Sequence, residues 1–226
     1  ICEYNPLHSG HEYQINKIKE EYGVARIVAV MSGDFVQRAE VAVFPRAVRA
    51  EAALKAGCDL VLELPFPYSY SSAEYFARAG VYIADATGVC DTLSFGSELG
   101  DIDTLKGYSD RLRDAGFLAE TQKVKEADKS LGHLRAVCDV AKRLCGKEFA
   151  HAVSTPNNIL ALEYIKATRD LESRLELHTV RREGDGYNDV GGAGRFVSAT
   201  YLRELISNGV DVSDFVPDDC AELYKK

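Results

Sequence analysis

The chain has 226 residues, 46% hydrophobic and 27% charged, with six Pro and no Trp; this balance excludes collagen-like, mucin-like and wholly disordered readings. Twenty-seven Lys and Arg against 35 Asp and Glu give a net charge of −8, which speaks against a nucleic-acid-binding domain, because phosphate contacts dominate such affinity and require Lys and Arg. No apolar run approaches the roughly 20 residues that span a bilayer, so no membrane partner is expected.

The length suits one large domain or two small ones. The chain opens at Ile1-Cys2-Glu3-Tyr4 without Met, as if in mid-strand, and reads as a fragment with no signal peptide. Of the cysteines, Cys58 and Cys90 lie beside apolar runs, Cys138 and Cys145 fall on one helical stripe, and no CxxC pair occurs. Buried reduced thiols of a cytoplasmic protein account for them, and no metal site is expected.

Short apolar runs alternate with amphipathic stretches, the pattern of an α/β fold with a parallel sheet. Residues 1–4 read as the end of a strand, followed by a helix over 10–22 and a strand over 25–31. A helix over 46–56 leads to a strand over 60–64, and a helix over 71–86 to a strand over 92–95. Helices over 101–115, 130–146 and 157–169 precede a strand over 174–181 and a last helix over 199–208, closed by Gly209 as its C′ residue. Two loops stand out, 32–45 and 183–197. The second contains Gly184, Gly186, Gly191, Gly192 and Gly194 and is expected to move. Ligands of open α/β sheets bind outside the carboxyl ends of the strands, so both loops belong near a site.

The sharpest motif is Asn5-Pro6-Leu7-His8-Ser9-Gly10-His11, between the first strand and a helix. A helix N-terminus offers unsatisfied N–H groups and the positive end of the dipole to a phosphate. Gly10 allows close backbone approach, and two imidazoles three residues apart can donate to an α-phosphate during in-line attack. The plainer alternative is a core histidine, since His11, Ile15, Ile18 and Tyr22 share one helical stripe. The second motif is Val197-Ser198-Ala199-Thr200-Tyr201-Leu202-Arg203. By itself it is a capped helix with Ser198 as N-cap; after a glycine-rich loop, its hydroxyls and Arg203 suit β- and γ-phosphates.

His8-Ser9-Gly10-His11 with Ser198-Ala199-Thr200-x-x-Arg203 resembles the HxGH and S-x-T-x-x-R motifs of the HIGH nucleotidyltransferase superfamily, and more narrowly the bacterial tRNA(Met) cytidine acetate ligase family. Supporting blocks run in order along nearly the whole chain: Glu3-Tyr4-Asn5-Pro6, residues 31–38 (MSGDFVQR), residues 59–65 (DLVLELP), residues 72–77 (SAEYFA), Phe95-Gly96-Ser97-Glu98 and residues 156–160 (PNNIL). The resemblance implies a Rossmann-like doubly wound parallel sheet, with a catalytic domain over 1–210 and the start of a truncated helical C-terminal region over 211–226. It implies a ligase that activates acetate with ATP and Mg²⁺ to acetyl-adenylate, then acetylates N4 of the wobble cytidine of elongator tRNA(Met). tRNA binding would depend on the missing C-terminal region.

His8, His11 and Arg203 would be catalytic. Ile1, Cys2, Glu3, Tyr4, Asn5, Pro6, His8, Ser9, Gly10, His11, Gly96, Asn157, Asn158, Arg182, Ser198 and Thr200 would bind ATP. Within that set Asn157 and Asn158 are alternatives, Arg181 competes with Arg182 by one position, and Thr155 with Pro156 makes an efficient helix start without any ligand. Gln37 and Arg38 match a family signature. Two departures occur: Arg38-Ala39-Glu40-Val41 stands where the family shows Arg-Gly-Glu-Pro, and Arg46-Ala47-Val48-Arg49 replaces a Lys-Trp-x-Arg-type segment. The competing reading is another HxGH nucleotidyltransferase, moving an adenylyl or cytidylyl group to a phosphorylated coenzyme precursor.

Overall fold

The computed structural model describes residues 1–23, 26–182 and 197–225. Val28–Ser32 (β1) is an apolar run, buried from Ala29 onward, as a central parallel strand requires. Leu60–Leu64 (β4) pairs with it in parallel, Val28 opposite Leu60 and Ser32 opposite Leu64. On the other edge of β1, Cys2 forms a parallel bridge with Met31: its N–H donates to the Val30 carbonyl at 2.9 Å and its carbonyl accepts from Ser32 at 3.0 Å. The strand expected over residues 1–4 is this single bridge, because Tyr4 turns the chain with φ 47° and ends the extended run. Thr92–Ser97 (β5) and Glu176–Arg181 (β6) form a second parallel pair, in register from Thr92 opposite Glu176 to Ser97 opposite Arg181.

Side chains alternate along β1 between two cores. Val30 joins Leu64, Phe76, Leu93, Phe95, Leu105 and Ile165 in one. Ala29 and Met31 join Leu7, Ile15, Ala52, Ala53 and Leu202 in the other. Helices therefore cover both faces, the doubly wound arrangement expected. One face carries Ala73–Ala86 (α3), Ile102–Arg113 (α4), Ala115–Ala127 (α5), His133–Leu144 (α6), Lys147–Ala152 (α7) and Pro156–Asp170 (α8). The other carries Ser9–Tyr22 (α1), Arg46–Lys55 (α2) and Ala199–Ser207 (α9). Residues beyond α9 fold back as 3₁₀ turns over Ser213–Phe215 and Asp218–Tyr224, burying Val212, Val216 and Cys220 in that second core.

The sequence reading missed α5 and α7, which fall in a stretch expected as loop. It also read 32–45 as irregular. That segment contains a small antiparallel hairpin, Phe35–Val36 (β2) with Glu40–Val41 (β3), joined by a 3₁₀ turn over Gln37–Ala39. Two-residue strands carry no readable alternation. The glycine-rich segment lies outside the described residues except for Val197. All six cysteines are free. Among the described residues, no helix is long and apolar enough to cross a membrane.

Candidate active site

A cleft of about 2300 Å³ opens between the two parallel pairs and extends over the carboxyl edge of the sheet. Its floor includes Cys2, Val30 and Phe95, and its rim carries the first turns of α1, α8 and α9.

The start of α1 is built by its two histidines. His8 is the N-cap, with φ −141° and ψ 173°, and its Nδ1 accepts from the Gly10 N–H at 3.1 Å. His11, at the third helical position, accepts the His8 backbone N–H on its own Nδ1 at 3.2 Å. This is a capping box made of imidazoles in place of the usual hydroxyl and carboxylate. The arrangement dictates the chemistry. With both Nδ1 atoms used as acceptors, each neutral ring carries its proton on Nε2 and presents an N–H donor. The rings lie 3.9 Å apart, centroid to centroid, and the Tyr4 and His11 rings form a T-shaped pair with centroids 5.0 Å apart. Burial, then the Arg182 charge, pushes His8 down to about 3, so it stays neutral at physiological pH. Burial, then the charges of His8 and Arg182, hold His11 well below the ordinary histidine range. Both histidines line the cleft. His11 therefore meets the expectation of a cleft residue although it shares a stripe with buried Ile15.

Ahead of α1, Asn5 is 2% exposed and tied at two points: its Oδ1 accepts from Val43 at 2.8 Å and its carbonyl accepts from Arg203 at 3.1 Å. The Arg203 guanidinium also donates to the Thr200 hydroxyl at 3.1 Å and faces Glu40 at 3.7 Å. Ser198 caps α9, its hydroxyl accepting from Tyr201 at 3.2 Å. The two motifs, nearly 200 residues apart in sequence, thus meet at one wall of the cleft.

At the opposite wall, the end of β5 and the start of α8 are locked together. The Glu98 carboxylate accepts from the Asn157 N–H at 3.0 Å, the Asn157 side-chain amide at 2.8 Å and the Asn158 N–H at 2.7 Å. The Asn158 Oδ1 in return accepts from Glu98 and Leu99 at 3.0 and 3.2 Å, and its amide donates to Thr155 at 2.8 Å. Burial alone would raise the Glu98 carboxyl, but the donors from Asn157 and Asn158 outweigh it and hold it below the usual carboxylate range. Beside this clamp, a Cβ on Gly96 would lie 3.3 Å from the Arg182 Cγ, so the glycine admits the arginine stem.

Of the expected site residues, Ile1, Cys2, Glu3, Tyr4, Asn5, His8, His11, Gly96, Asn157, Arg182, Ser198, Thr200 and Arg203 line the cleft. Gly10 lines an adjoining recess with Gly96, Arg181 and Arg182. Pro6, Ser9 and Asn158 are buried away from the cleft. Ser9 donates to the Phe215 carbonyl at 3.0 Å, and every polar side-chain atom of Asn158 is engaged in the clamp. The structure brings Asn157 and Arg182 to the cleft, whereas Asn158 and Arg181 are not among the residues that line it.

Two residues carry weight that sequence reasoning missed. In the sequence Glu98 is only the last residue of the Phe95-Gly96-Ser97-Glu98 block. Arg49 is fully buried and donates to four carbonyls, those of Phe44 (3.0 Å), Glu3 (2.5 Å), Ser32 (3.1 Å) and Gly33. It thereby joins the Cys2 segment, the end of β1 and the following loop at the cleft edge. Glu3 accepts from the Gln37 N–H at 2.9 Å, which anchors the hairpin to the same segment. Among the described residues, no group of three His, Cys, Asp or Glu is placed to hold a metal ion.

A doubly wound sheet with a histidine-capped helix at its carboxyl edge is the architecture of an α/β nucleotidyltransferase. The chain belongs to the HIGH Nucleotidyl Transferase family, whose model matches residues 1–226. It is 38% identical over 99% of its length to the tRNA(Met) cytidine acetate ligase of Syntrophotalea carbinolica, and 41% identical over 96% to that of Caldicellulosiruptor saccharolyticus. Both alignments span 54% of the relative, so the chain covers about half the length of the curated relatives it matches. Among solved structures, Thermotoga maritima TmcAL bound with alpha-thio ATP superposes with a TM-score of 0.86 at 33% identity, covering 98% of this chain and 53% of that one. The apo form of the same protein gives 0.88 at 34%, covering 98% and 54%.

Proposed function

We propose that the chain is the adenylating part of a tRNA(Met) cytidine acetate ligase. Acetate attacks the α-phosphorus of ATP, a new carboxylate–phosphorus bond forms, and the α–β bridging bond breaks to release pyrophosphate. The exocyclic N4 amine of a cytidine then attacks the acyl carbon of acetyl-adenylate, AMP leaves with the bonding pair, and the amine loses a proton. Acetate needs this activation because a free carboxylate is a poor electrophile. The amide nitrogen product needs no acyl-enzyme, so no nucleophilic Ser or Cys is required.

The observation that carries the reading is the pair of interlocked imidazoles, which offers two neutral Nε2–H donors at the N-terminus of α1. Charge accumulating on the α-phosphate oxygens in the transition state would meet these donors and the helix dipole without reorganisation. Arg182 and Arg203 supply the cationic walls for the remaining phosphates, with Ser198 and Thr200 beside them. Gly96 and Asn157 bound the nucleoside end. No protein-built cage accompanies these groups among the described residues. An Mg²⁺ entering with ATP would therefore take its ligands chiefly from phosphate oxygens and water. The catalytic unit is assigned to 1–210 with residues 211–225 folded back onto it, and the other half of a protein as long as the relatives would contribute to tRNA binding.

Pyrophosphate–ATP exchange, with and without acetate and with no RNA present, tests the reading directly. Acetate-dependent exchange is expected. Bound ATP with no exchange under any carboxylic acid would refute the adenylating assignment.

A further inference from the structure

Three aromatic rings stand exposed at the mouth of the cleft. Phe35, from the hairpin, is 47% exposed; Phe66 and Tyr70, from the segment after β4, are 64% and 39% exposed. Their centroids lie 5.8 Å (Phe35–Phe66), 6.2 Å (Phe35–Tyr70) and 6.0 Å (Phe66–Tyr70) apart, with planes inclined by 59°, 87° and 52°. None is stacked face to face on another, so the cluster leaves ring faces open to solvent. Tyr70 belongs to the cluster and to the cleft wall alike, and Ser71 and Ser72 continue that wall inward. On the other side, the hairpin that carries Phe35 gives Gln37, Ala39 and Glu40 to the same cleft.

The neighbouring charges tell what this surface suits. Arg46 is held by Glu63 at 3.0 Å and faces Asp34 at 3.9 Å, which offsets its charge toward a phosphate backbone. A surface of open aromatic faces whose neighbouring Arg46 is already paired suits an uncharged planar group. Such a group is what the proposed reaction must bring to the cleft. The cytidine N4 amine lies on the Watson–Crick edge, so the acceptor base has to be unpaired and drawn out of its stack before it meets an acyl-adenylate. Proteins that hold unpaired bases do so on aromatic side chains.

We propose that Phe35, Phe66 and Tyr70 form a stacking platform for an unpaired base of the acceptor RNA, at the entrance through which the reacting base reaches the cleft. This rests on the acetyl-transfer reading for the identity of the ligand. The platform acts through π-faces, so it discriminates single-stranded from paired RNA more than one sequence from another.

The test uses the chain itself with a short fluorescein-labelled oligocytidylate, followed by anisotropy. The F35A/F66A double variant removes two rings that lie outside the cleft, and F66W restores a larger face. The double variant should bind the oligonucleotide about fivefold more weakly or worse, since a stacked base on an aromatic ring is worth at least that factor. F66W should bind as well as the native chain. The loss should persist at raised salt, because stacking releases no counterions. Acetate-dependent pyrophosphate exchange should be unchanged in both variants. Native-like binding by F35A/F66A, or no binding by the native chain, would overturn the platform. So would self-association of the native chain that F35A/F66A abolishes, since a second copy would then be the occupant. Absence of exchange in the native chain would instead strike the ligase reading and leave the anisotropy result to judge the platform separately.

Discussion

His8 caps α1, and the proposed reaction would give it a second role that a substitution can separate from the first. Its Nδ1 caps α1, and under the proposed reaction its Nε2–H would donate to the α-phosphate. Asparagine is a good N-cap but offers no donor at the Nε2 position. His8→Asn should therefore hold folding stability within about 0.5 kcal/mol while lowering acetate-dependent exchange by about 10²–10³-fold, the usual cost of one lost transition-state donor. An unaltered rate in the folded variant would assign His8 to capping alone. The same histidines shape the acid response. In the unfolded chain they take up protons below about pH 6.5, whereas folded His8 does so only near 3 and folded His11 also well below the ordinary range. The unfolded state thus binds more protons between those values, and stability falls as pH drops through that window. At pH 5, His8 alone should cost roughly 2 kcal/mol relative to neutral pH. Urea midpoints measured from pH 7 to 5 should decline less steeply in His8→Asn, and equal slopes would contradict the neutral-imidazole assignment. Residue identity also explains one departure noted in the sequence. Ala39 stands where the family resemblance leads one to expect glycine, and it adopts φ 64°, a left-handed conformation that costs an alanine about 1 kcal/mol more than glycine. Ala39→Gly should raise the melting temperature by a degree or more, part of the gain being offset by unfolded-state entropy.

Whole elements are positioned by two buried polar clamps. Glu98 fills the N-terminus of α8, so that helix end is already occupied by a carboxylate and its dipole serves the Glu98 loop rather than a phosphate. Glu98→Gln keeps the size but turns one acceptor into a donor facing N–H groups. Asn157 should then lose its placement, with KM for ATP rising about tenfold and stability falling about 1–2 kcal/mol. A change confined to kcat would show that Glu98 acts elsewhere. Arg49 is the other clamp: Arg49→Met would strand the carbonyls of Phe44, Glu3, Ser32 and Gly33 and should cost about 3 kcal/mol or more in chemical denaturation. Lys would not rescue it, because a single ammonium cannot span the fork of acceptors. These clamps also mark where sequence reading stops. β4 is legible to the residue because a largely apolar run lies between Asp59 and Pro65, α9 is legible from its Ser198 cap, and α1 from its stripe of His11, Ile15, Ile18 and Tyr22. α5 buries only Phe117 and Thr121, too thin a stripe to declare itself, and α7 has six residues. Arg49 reads as one more surface cation, since nothing in a sequence shows that four carbonyls will converge on one guanidinium.

At the scale of the whole molecule, the site exists because the two parallel strand pairs part around a cleft whose chemistry comes from both sides. α1 and α9 belong to the core built on Ala29 and Met31, whereas β5, through Leu93 and Phe95, and α8 pack with the core built on Val30. The two motifs that build one wall are each legible separately. Their meeting, through Arg203 on the Asn5 carbonyl and the back-folding of residues 211–225 against α1, depends on packing that no local pattern encodes. A nucleotide in this cleft would bridge the two halves, and stabilisation should follow by mass action. ATP at a hundredfold excess over its Kd should add about 2.7 kcal/mol to unfolding, seen as a higher melting temperature without acetate. Hydrogen exchange should locate the effect. Amides in the first turn of α1, at Gly96 in β5 and in the first turn of α9 should slow together, because a single ligand joins elements from both cores. Protection of α1 alone would mean that the phosphates are held at the histidine cap without engaging the far wall. Glu98, Asn157 and Arg182 would then have to be assigned to folding rather than to the nucleotide.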